Sequence, residues 1–230
     1  MKALVITSNH LRHKSFAKML CEEIEIAKVI IEKKPAVEES QQEKEEIYFK
    51  DCIDWEPSDF FICDQGKVNS PEVIDQIKSE GPDIIFTFGC SLLKKEVFSI
   101  PKKGCVNIHT GMVQYFRGVD SPFWAIYEEK PEGIGATIHY IDDSIDAGEI
   151  IAQRSTPLSI DDNIDDVFIK SCITGFDLLK EKLSVIIEDR VEPVVLKTRG
   201  KLYQKKNKTD RHAFDVDEKI KRVIREYLND

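Results

Sequence analysis

Short apolar runs that alternate with amphipathic segments constrain this chain more than any other feature of its sequence. Four such runs have the length and composition of buried strands, namely 2–7, 27–33, 83–89 and 104–110. Between them, apolar residues recur at helical spacing in 13–24, and a second helix is predicted at 70–81, where Pro follows the start and Gly marks the end. This alternation favours a mostly parallel sheet with helices on both faces. We therefore predict an α/β fold.

The pattern changes after residue 118. Segments 135–141 and 149–156 each alternate apolar and polar residues, which is typical of strands with one buried face. The acidic turn 142–148 separates them. We therefore predict that these two segments pair with each other and extend the sheet.

The rest of the chain divides into a long helix and a short extension. The helix is capped at Asp161–Asn163 and ends near Arg190, with apolar residues at three- and four-residue spacing. We predict a main domain at 1–190 and a short C-terminal extension at 191–230. The extension contains a strand-like segment at 193–198, a basic stretch and a last helix.

The charge balance disfavours several classes of function. Lys and Arg number 33 against 42 Asp and Glu, for a net charge of −9, which is poorly suited to general nucleic-acid binding. No apolar run approaches the ~20 residues that cross a bilayer, and the first run is too short for a signal peptide, so we expect a cytoplasmic protein without membrane insertion. The six cysteines form no C-x-x-C pair, so we expect no metal site. The acidic segment 37–46 indicates a solvated surface segment or a helix start.

Three polar residues stand where a strand ends or the chain turns. Asn107 and His109 flank Ile108 near the end of a predicted strand, so their side chains face the same side. In open α/β sheets, that end of a strand borders the crevice where ligands bind. Asp146 lies in the acidic turn, close to Gly148. Taken singly, each of the three is more commonly a turn residue or a structural group.

An amide, an imidazole and a carboxylate together suit acyl transfer to an amine. Amide N–H groups and a protonated imidazole stabilise a developing oxyanion. The carboxylate helps to remove the proton that the attacking amine loses. We expect Asp146 to raise the pKa of His109 and so to hold the imidazole protonated.

The order of the surrounding motifs is more specific than any single residue. Asn107-x-His109 is followed by four further motifs, namely Tyr115-x-Arg117-Gly118, Phe123-Trp124-Ala125-Ile126, Gly135-x-Thr137-Ile138-His139 and Ile145-Asp146-x-Gly148-x-Ile150-Ile151. With these motifs, the stretch from about Pro82 to Gln153 resembles the folate-dependent formyltransferases. That superfamily includes glycinamide ribonucleotide formyltransferase, methionyl-tRNA formyltransferase and the sugar N-formyltransferases.

The resemblance implies a Rossmann-like domain, N10-formyltetrahydrofolate as formyl donor and no metal. It assigns the family's catalytic Asn, His and Asp to Asn107, His109 and Asp146. It also implies a folate pocket built from the segment after a buried strand, from the acidic turn and from two strand residues, namely Gly89, Ser91, Leu92, Leu93, Ile141, Asp142, Asp143, Thr137 and His139. Leu92 and Leu93 are equally well interpreted as ordinary core.

Two departures from the family pattern bear on the acceptor. Gln114 stands where the family has Pro, and Phe116 lies between Tyr115 and Arg117, which alters the loop there. The N-terminal loop 8–13 lacks the Gly-rich phosphate loop of glycinamide ribonucleotide formyltransferases. The acidic charge and the short extension disfavour tRNA. By elimination, the resemblance favours the amino group of a nucleotide-linked deoxysugar for surface polysaccharides.

The predicted partner is therefore a small-molecule amine and not a nucleic acid. The sequence leaves open whether the chain forms a homodimer. Candidates for contacts to the substrate are Asn9, Arg12, His13, Tyr115, Arg117 and Gly118, since guanidinium groups match phosphates. The alternative for the charged groups among them is a solvated surface cation. A second hypothesis is a non-catalytic nucleotide-binding module of the same fold, and the intact Asn, His and Asp count against it.

Overall fold

A computed structural model describes residues 1–194, 196 and 198–229. The strands are β1 (Ala3–Ser8), β2 (Ile26–Glu32), β3 (Phe60–Cys63), β4 (Ile84–Thr87), β5 (Cys105–His109), β6 (Phe116–Gly118), β7 (Gly135–Tyr140), β8 (Ile150–Ser155) and β9 (Lys201–Tyr203). The helices are α1 (Leu11–Glu23), α2 (Glu39–Tyr48), α3 (Pro71–Glu80), α4 (Lys95–Phe98), α5 (Ser121–Tyr127), α6 (Ile164–Ile187) and α7 (Asp210–Asn229). Across these ranges, no helix is both long and apolar enough to cross a bilayer.

Within residues 1–194, seven strands form one mixed sheet in the order β3-β2-β1-β4-β5-β7-β8. The strands from β3 to β5 in that order are parallel, and β7 and β8 are antiparallel additions at one edge. The predicted α/β fold with a mostly parallel sheet is confirmed. The predicted pairing of 135–141 with 149–156 is confirmed as well, as β7 with β8.

The strand order reverses direction between β1 and β4. From β1 the chain moves outward through β2 and β3, and it then returns to form β4 and β5 on the other side of β1. Where connections leave in opposite directions, a crevice opens beyond the carboxyl ends of the strands. Thr87 ends β4 and His109 ends β5, so the predicted catalytic residues lie beside this crevice.

Helices cover both faces of the sheet. Successive residues of the buried strands therefore belong alternately to two hydrophobic cores. Ala3 and Val5 of β1 belong to the core that contains α1 and α6, whereas Leu4 and Ile6 belong to the core that contains α3 and α4. Phe16 of α1 is fully buried in the first core. Burial of each such large side chain stabilises the fold by about 1.5–3 kcal/mol.

Two elements add to what the sequence pattern predicts. The acidic segment forms α2, which confirms its interpretation as a helix start. Glu45 in this helix is nevertheless only 2% exposed, and its carboxylate pairs with Arg12 of α1. The sequence does not predict β3, because four residues at a sheet edge are too few to show an apolar–polar alternation. The strand is defined by its pairing with β2. In the strand-like segment 193–198, Val194 forms an isolated bridge, and Val195 and Lys197 lie outside the described residues.

Residues 198–229 pack on the main domain through a third apolar cluster. α7 contributes four buried side chains that lie against α5, namely Val216, Ile220, Val223 and Ile224. The indole of Trp124 in α5 stacks on the ring of Tyr203 in β9, with the ring centroids 3.8 Å apart. β9 also pairs in parallel with β6. The division at residue 190 stays a prediction, and the two parts share this cluster.

Ile224→Ala is expected to lower the free energy of unfolding by about 2–5 kcal/mol, because removing a fully buried side chain leaves a cavity between α7 and α5. Leu228→Ala on the same helix is the matched control. Leu228 is 50% exposed, so its truncation is expected to change stability by less than about 0.5 kcal/mol. Urea denaturation measures both variants, and equal stabilities would contradict the described packing of α7.

Candidate active site

An open cleft of about 1,090 Å³ lies at the carboxyl ends of β4 and β5. Its lining includes Thr87 from β4, Asn107 and His109 from β5, and His139 from β7. The loop after β4, the acidic turn and residues 202–205 complete the lining. The cleft therefore lies at the reversal of strand order, where the fold predicts a ligand site.

Asn107 is oriented by two hydrogen bonds at the end of β5. The hydroxyl of Thr87 donates to its Oδ1 at 2.9 Å, and its Nδ2 donates to Nε2 of His139 at 3.1 Å. His139 accepts at Nε2 because its Nδ1 donates to the carbonyl of Tyr140 at 2.9 Å. An amide NH2 has two N–H donors. The second therefore faces the cleft without an acceptor among the described residues.

His109 is 5% exposed, and both of its ring nitrogens have polar neighbours. Nδ1 lies 3.4 Å from Oδ2 of Asp146, whereas Nε2 lies 3.1 Å from the Ser121 hydroxyl and 3.2 Å from the carbonyl oxygen of Phe116. Burial nevertheless outweighs these contacts and lowers the pKa of His109 below its ordinary value. Asp146 acts in the predicted direction and raises this pKa, but the net rise that the sequence predicts is not found, because burial acts more strongly.

Asp146 carries its negative charge inside the protein. Its φ of 46° lies in the left-handed region, which Asp adopts more readily than most residues. Its Oδ2 accepts a hydrogen bond from the Gly118 N–H at 2.8 Å, and its Oδ1 lies 3.6 Å from Nε2 of His139. Burial alone raises the pKa of this carboxyl, but His109, His139 and the Gly118 N–H outweigh burial and hold it well below its usual range. Asp146 is therefore ionised at neutral pH.

β6 connects the imidazole and the carboxylate through its backbone. The Phe116 carbonyl faces His109, and the Gly118 N–H donates to Asp146. Gly118 has a φ of 87°, and a Cβ there would lie 1.9 Å from the carbonyl oxygen of Tyr203. Only glycine fits this approach of β6 to β9. The C-terminal extension therefore supports the strand that positions His109 and Asp146.

The two strand residues assigned to the folate pocket have different environments. His139 lies between Asn107 and Asp146, so it belongs to the same polar cluster. Thr137 is fully buried, and its hydroxyl donates to the carbonyl of Gly111 at 2.6 Å. The assignment of Thr137 to the pocket is therefore corrected, because its hydroxyl supports the turn after β5.

The loop after β4 resolves the alternative left open for its two leucines. Both leucines line the cleft, but Leu93 is 8% exposed and also packs in the core with α3 and α4, whereas Leu92 is 66% exposed. Gly89 has a φ of 71°, and a Cβ there would lie 2.0 Å from Nε2 of His13, so this position requires glycine. The remaining residues assigned to the pocket all line the cleft, namely Ser91, Ile141, Asp142 and Asp143.

The predicted substrate contacts of the N-terminal loop are bonded within the protein. Arg12 lines the cleft but is 8% exposed, and its guanidinium pairs with Glu45. The Asn9 amide donates to the Lys34 carbonyl at 3.2 Å and accepts from the Lys34 N–H at 2.6 Å. Burial lowers the pKa of His13 well below its ordinary value, so its ring is neutral. Arg12 is therefore not the solvated cation that the sequence alternative describes.

The predicted substrate contacts after β5 also have partners within the protein. Arg117 donates from Nε to the Gly200 carbonyl at 2.9 Å and from Nη1 to the Ile145 carbonyl at 3.0 Å. Its side chain lines a smaller pocket of about 340 Å³ and not the main cleft. Tyr115 packs at the edge of the α5–α7 cluster. Of these predicted residues, Gly118 is the one that lines the cleft.

Sequence analysis missed a set of cationic residues around the cleft. They are Lys34, Lys94, Lys95 and Lys205. The same lining includes four aspartates, namely Asp120, Asp142, Asp143 and Asp146, so the cleft presents charges of both signs. Lys34 follows the end of β2, so the strand-end rule that selected Asn107 could also have selected Lys34.

The His109 imidazole is expected to titrate with a midpoint below 6.5. Asp146→Asn is expected to lower the midpoint further, because it removes the negative charge that favours the protonated ring. NMR of histidine-labelled protein measures both midpoints, and Asp143→Asn in the exposed part of the acidic turn is the control. A midpoint that rises in Asp146→Asn would contradict the described contact.

The same pKa shift has a consequence for stability. The unfolded chain binds this proton at about pH 6.5, whereas the folded chain binds it only at lower pH. The contribution of His109 to stability is therefore undiminished above pH 6.5 and decreases as the pH falls from there to the folded pKa.

Residues 1–171 match the family model described as formyl transferase. Methionyl-tRNA formyltransferase from Lysinibacillus sphaericus is 40% identical over 128 residues, which are 55% of this chain and 40% of that protein. The chain thus spans about 40% of the length of this relative.

Solved structures share the fold at lower identity. A 4-N formyltransferase from Francisella tularensis has a TM-score of 0.66 at 23% identity, over 94% of this chain and 86% of that chain. The N-formyltransferase from Helicobacter canadensis, solved with folinic acid and dTDP-3-aminofucose, has a TM-score of 0.66 at 18% identity, over 99% of this chain and 82% of that chain. Because the family model matches well over half of its residues, this chain belongs to the formyl transferase family.

Proposed function

We propose that this protein transfers a formyl group from N10-formyltetrahydrofolate to the amino group of a nucleotide-linked amino deoxysugar. The observation that carries the proposal is the cluster of Asn107, His109 and Asp146 at one cleft, in a chain of the formyl transferase family. A buried ionised carboxylate beside a buried imidazole is costly to maintain and is typical of catalytic sites. This cost disfavours the alternative of a non-catalytic nucleotide-binding module.

Each of the three side chains has a distinct part in this reaction. Asn107 donates an N–H to the formyl oxygen as negative charge develops on it. His109, neutral at pH 7, accepts the proton that the attacking amine loses and returns it to the leaving nitrogen of the donor. Asp146 lies 3.4 Å from His109 and stabilises the positive charge that the ring gains in between.

The lining of the cleft suits a flat, partly apolar donor. Leu92 from the loop after β4 and Ile141 after β7 supply apolar surface to the cleft. Gly89 permits the close approach of its loop to His13. These features fit N10-formyltetrahydrofolate, the donor that the resemblance implies.

The structure constrains the identity of the acceptor less than that of the formyl donor. Beside the four aspartates of its lining, the cleft offers Lys94, Lys95 and Lys205 as partners for the phosphates of a sugar diphosphate. The structural neighbour from Helicobacter canadensis contains a nucleotide-linked amino sugar. Methionyl-tRNA is the second candidate, because the relative from Lysinibacillus sphaericus with that name is 40% identical over 128 residues. The net charge of −9 counts against a long phosphate backbone as ligand.

A direct assay distinguishes these acceptors. Purified protein is incubated with N10-formyltetrahydrofolate and with either a panel of nucleotide-linked amino sugars or methionyl-tRNA, and formylated products are identified by mass spectrometry. Formylation of an amino sugar supports the proposal. Formylation of methionyl-tRNA alone would contradict the proposed acceptor and identify the tRNA as the acceptor instead. Donor binding without turnover of any amine would support the non-catalytic module.

Asn107→Ala is expected to lower kcat by about 10²–10³-fold, because it removes a donor to the developing oxyanion. KM is expected to change much less, since the interaction strengthens only in the transition state. Initial rates at varied donor and acceptor concentrations separate the two constants. Asn229→Ala, at an exposed position in the last turn of α7, is the control. Near-wild-type turnover in Asn107→Ala would show that Asn107 is structural.

A further inference from the structure

Glu32 is a fully buried carboxylate that the reaction described above does not use. It is the last residue of β2 and is 0% exposed. β2 neighbours β1, and Glu32 pairs in register with Ser8. A buried carboxylate is costly unless donors surround it, so its partners indicate what it is for.

The partners of Glu32 belong to two loops at the edge of the cleft. Oε2 accepts from the Ser91 N–H at 2.7 Å, and Oε1 accepts from the Ser91 hydroxyl at 2.6 Å. Oε1 also accepts from the Gly66 N–H at 2.6 Å. Nζ of Lys34 lies 3.8 Å from Oε2. Glu32 therefore joins the turn at Gly66 to the loop after β4 through its two oxygens.

The loop after β4 depends on side chains from outside it for much of its hydrogen bonding. Besides Glu32, Lys34 donates to the Gly89 carbonyl at 2.6 Å. Asn69 donates to the Leu92 carbonyl at 2.9 Å and accepts from the Lys94 N–H at 2.7 Å. Glu32 is the most buried of these three anchors. Leu92, between these bonds, is exposed toward the cleft.

We infer that Glu32 is a positioning residue that sets the shape of the loop 89–93 and thereby the affinity for the formyl donor. This inference rests on the proposed function, because that function places the donor against this loop. Glu32 itself lies beneath the loop and is not a lining residue of the cleft. Its effect reaches the donor through Ser91 and the neighbouring backbone.

The chemistry of the contact requires a carboxylate and not only its shape. The three hydrogen-bond contacts of Glu32 are all donors, and both of its oxygens accept. Glu32→Gln keeps the volume but replaces one oxygen with an NH2 group, which would face an N–H or O–H donor. That mismatch releases Ser91 or Gly66, so the loop 89–93 loses its fixed conformation.

The test compares Glu32→Gln with Glu25→Gln, an exposed glutamate just before β2. Calorimetry measures the Kd of folinic acid, a stable analogue of the donor, for wild type and both variants. We expect about a tenfold higher Kd in Glu32→Gln, as loss of a buried hydrogen-bond partner typically causes, and no change in Glu25→Gln. The KM of the donor should rise in parallel, whereas the KM of the acceptor and kcat should stay within about twofold.

The possible outcomes separate the inference from the proposed function. Wild-type protein that fails to bind folinic acid would contradict the proposed donor. Wild-type protein that binds it, with an equal Kd in folded Glu32→Gln, would overturn the role of Glu32 alone. A rise in both KM values and a fall in kcat would indicate general structural damage and would likewise overturn it. If Glu32→Gln does not fold, Ser91→Ala removes one bond to the same carboxylate, and an unchanged Kd in that variant overturns the inference.

Discussion

The ionised carboxylate of Asp146 is the group on which the rest of the site depends. An uncompensated charge inside a protein is costly, and three segments compensate it here, through His109 on β5, His139 on β7 and the Gly118 N–H on β6. Each of these three groups is also held by a further contact with the backbone or by strand pairing. The charge that would stabilise a protonated His109 in the proposed reaction therefore also holds the local structure together.

Periodicity and the strand-end rule predicted most of the sheet and the convergence of Asn107 with His109, because both depend on residues near one another in the chain. Partners that are distant in the chain were not predictable. Arg12 is paired with Glu45, 33 residues away, and Arg117 donates to Gly200, 83 residues away. The pKa of His109 shows the same limit. A neighbouring carboxylate can be inferred from a motif, whereas burial depends on the whole fold.

The comparisons agree on the chemistry and differ on the acceptor, which has a physical explanation. In the proposed reaction, the polar cluster at β5 and β7 contacts a formyl group and an amine, and neither group differs between acceptors. The acceptor is distinguished by the groups attached to its amine, which contact other parts of the cleft. The charged side chains that line this cleft and the hydrogen-bonded loop after β4 are therefore more informative about the acceptor and the donor than Asn107, His109 and Asp146 are.

The pairing of β6 with β9 makes the site depend on residues far along the chain that do not belong to the polar cluster. Arg117 on β6 donates to the Gly200 carbonyl, 83 residues away, and the Gly118 N–H on the same strand donates to Asp146. Without residues 198–229, β6 would lose its neighbouring strand. A proteolytic cut in the extension is therefore expected to loosen the backbone that holds Asp146, although every member of the polar cluster is still present.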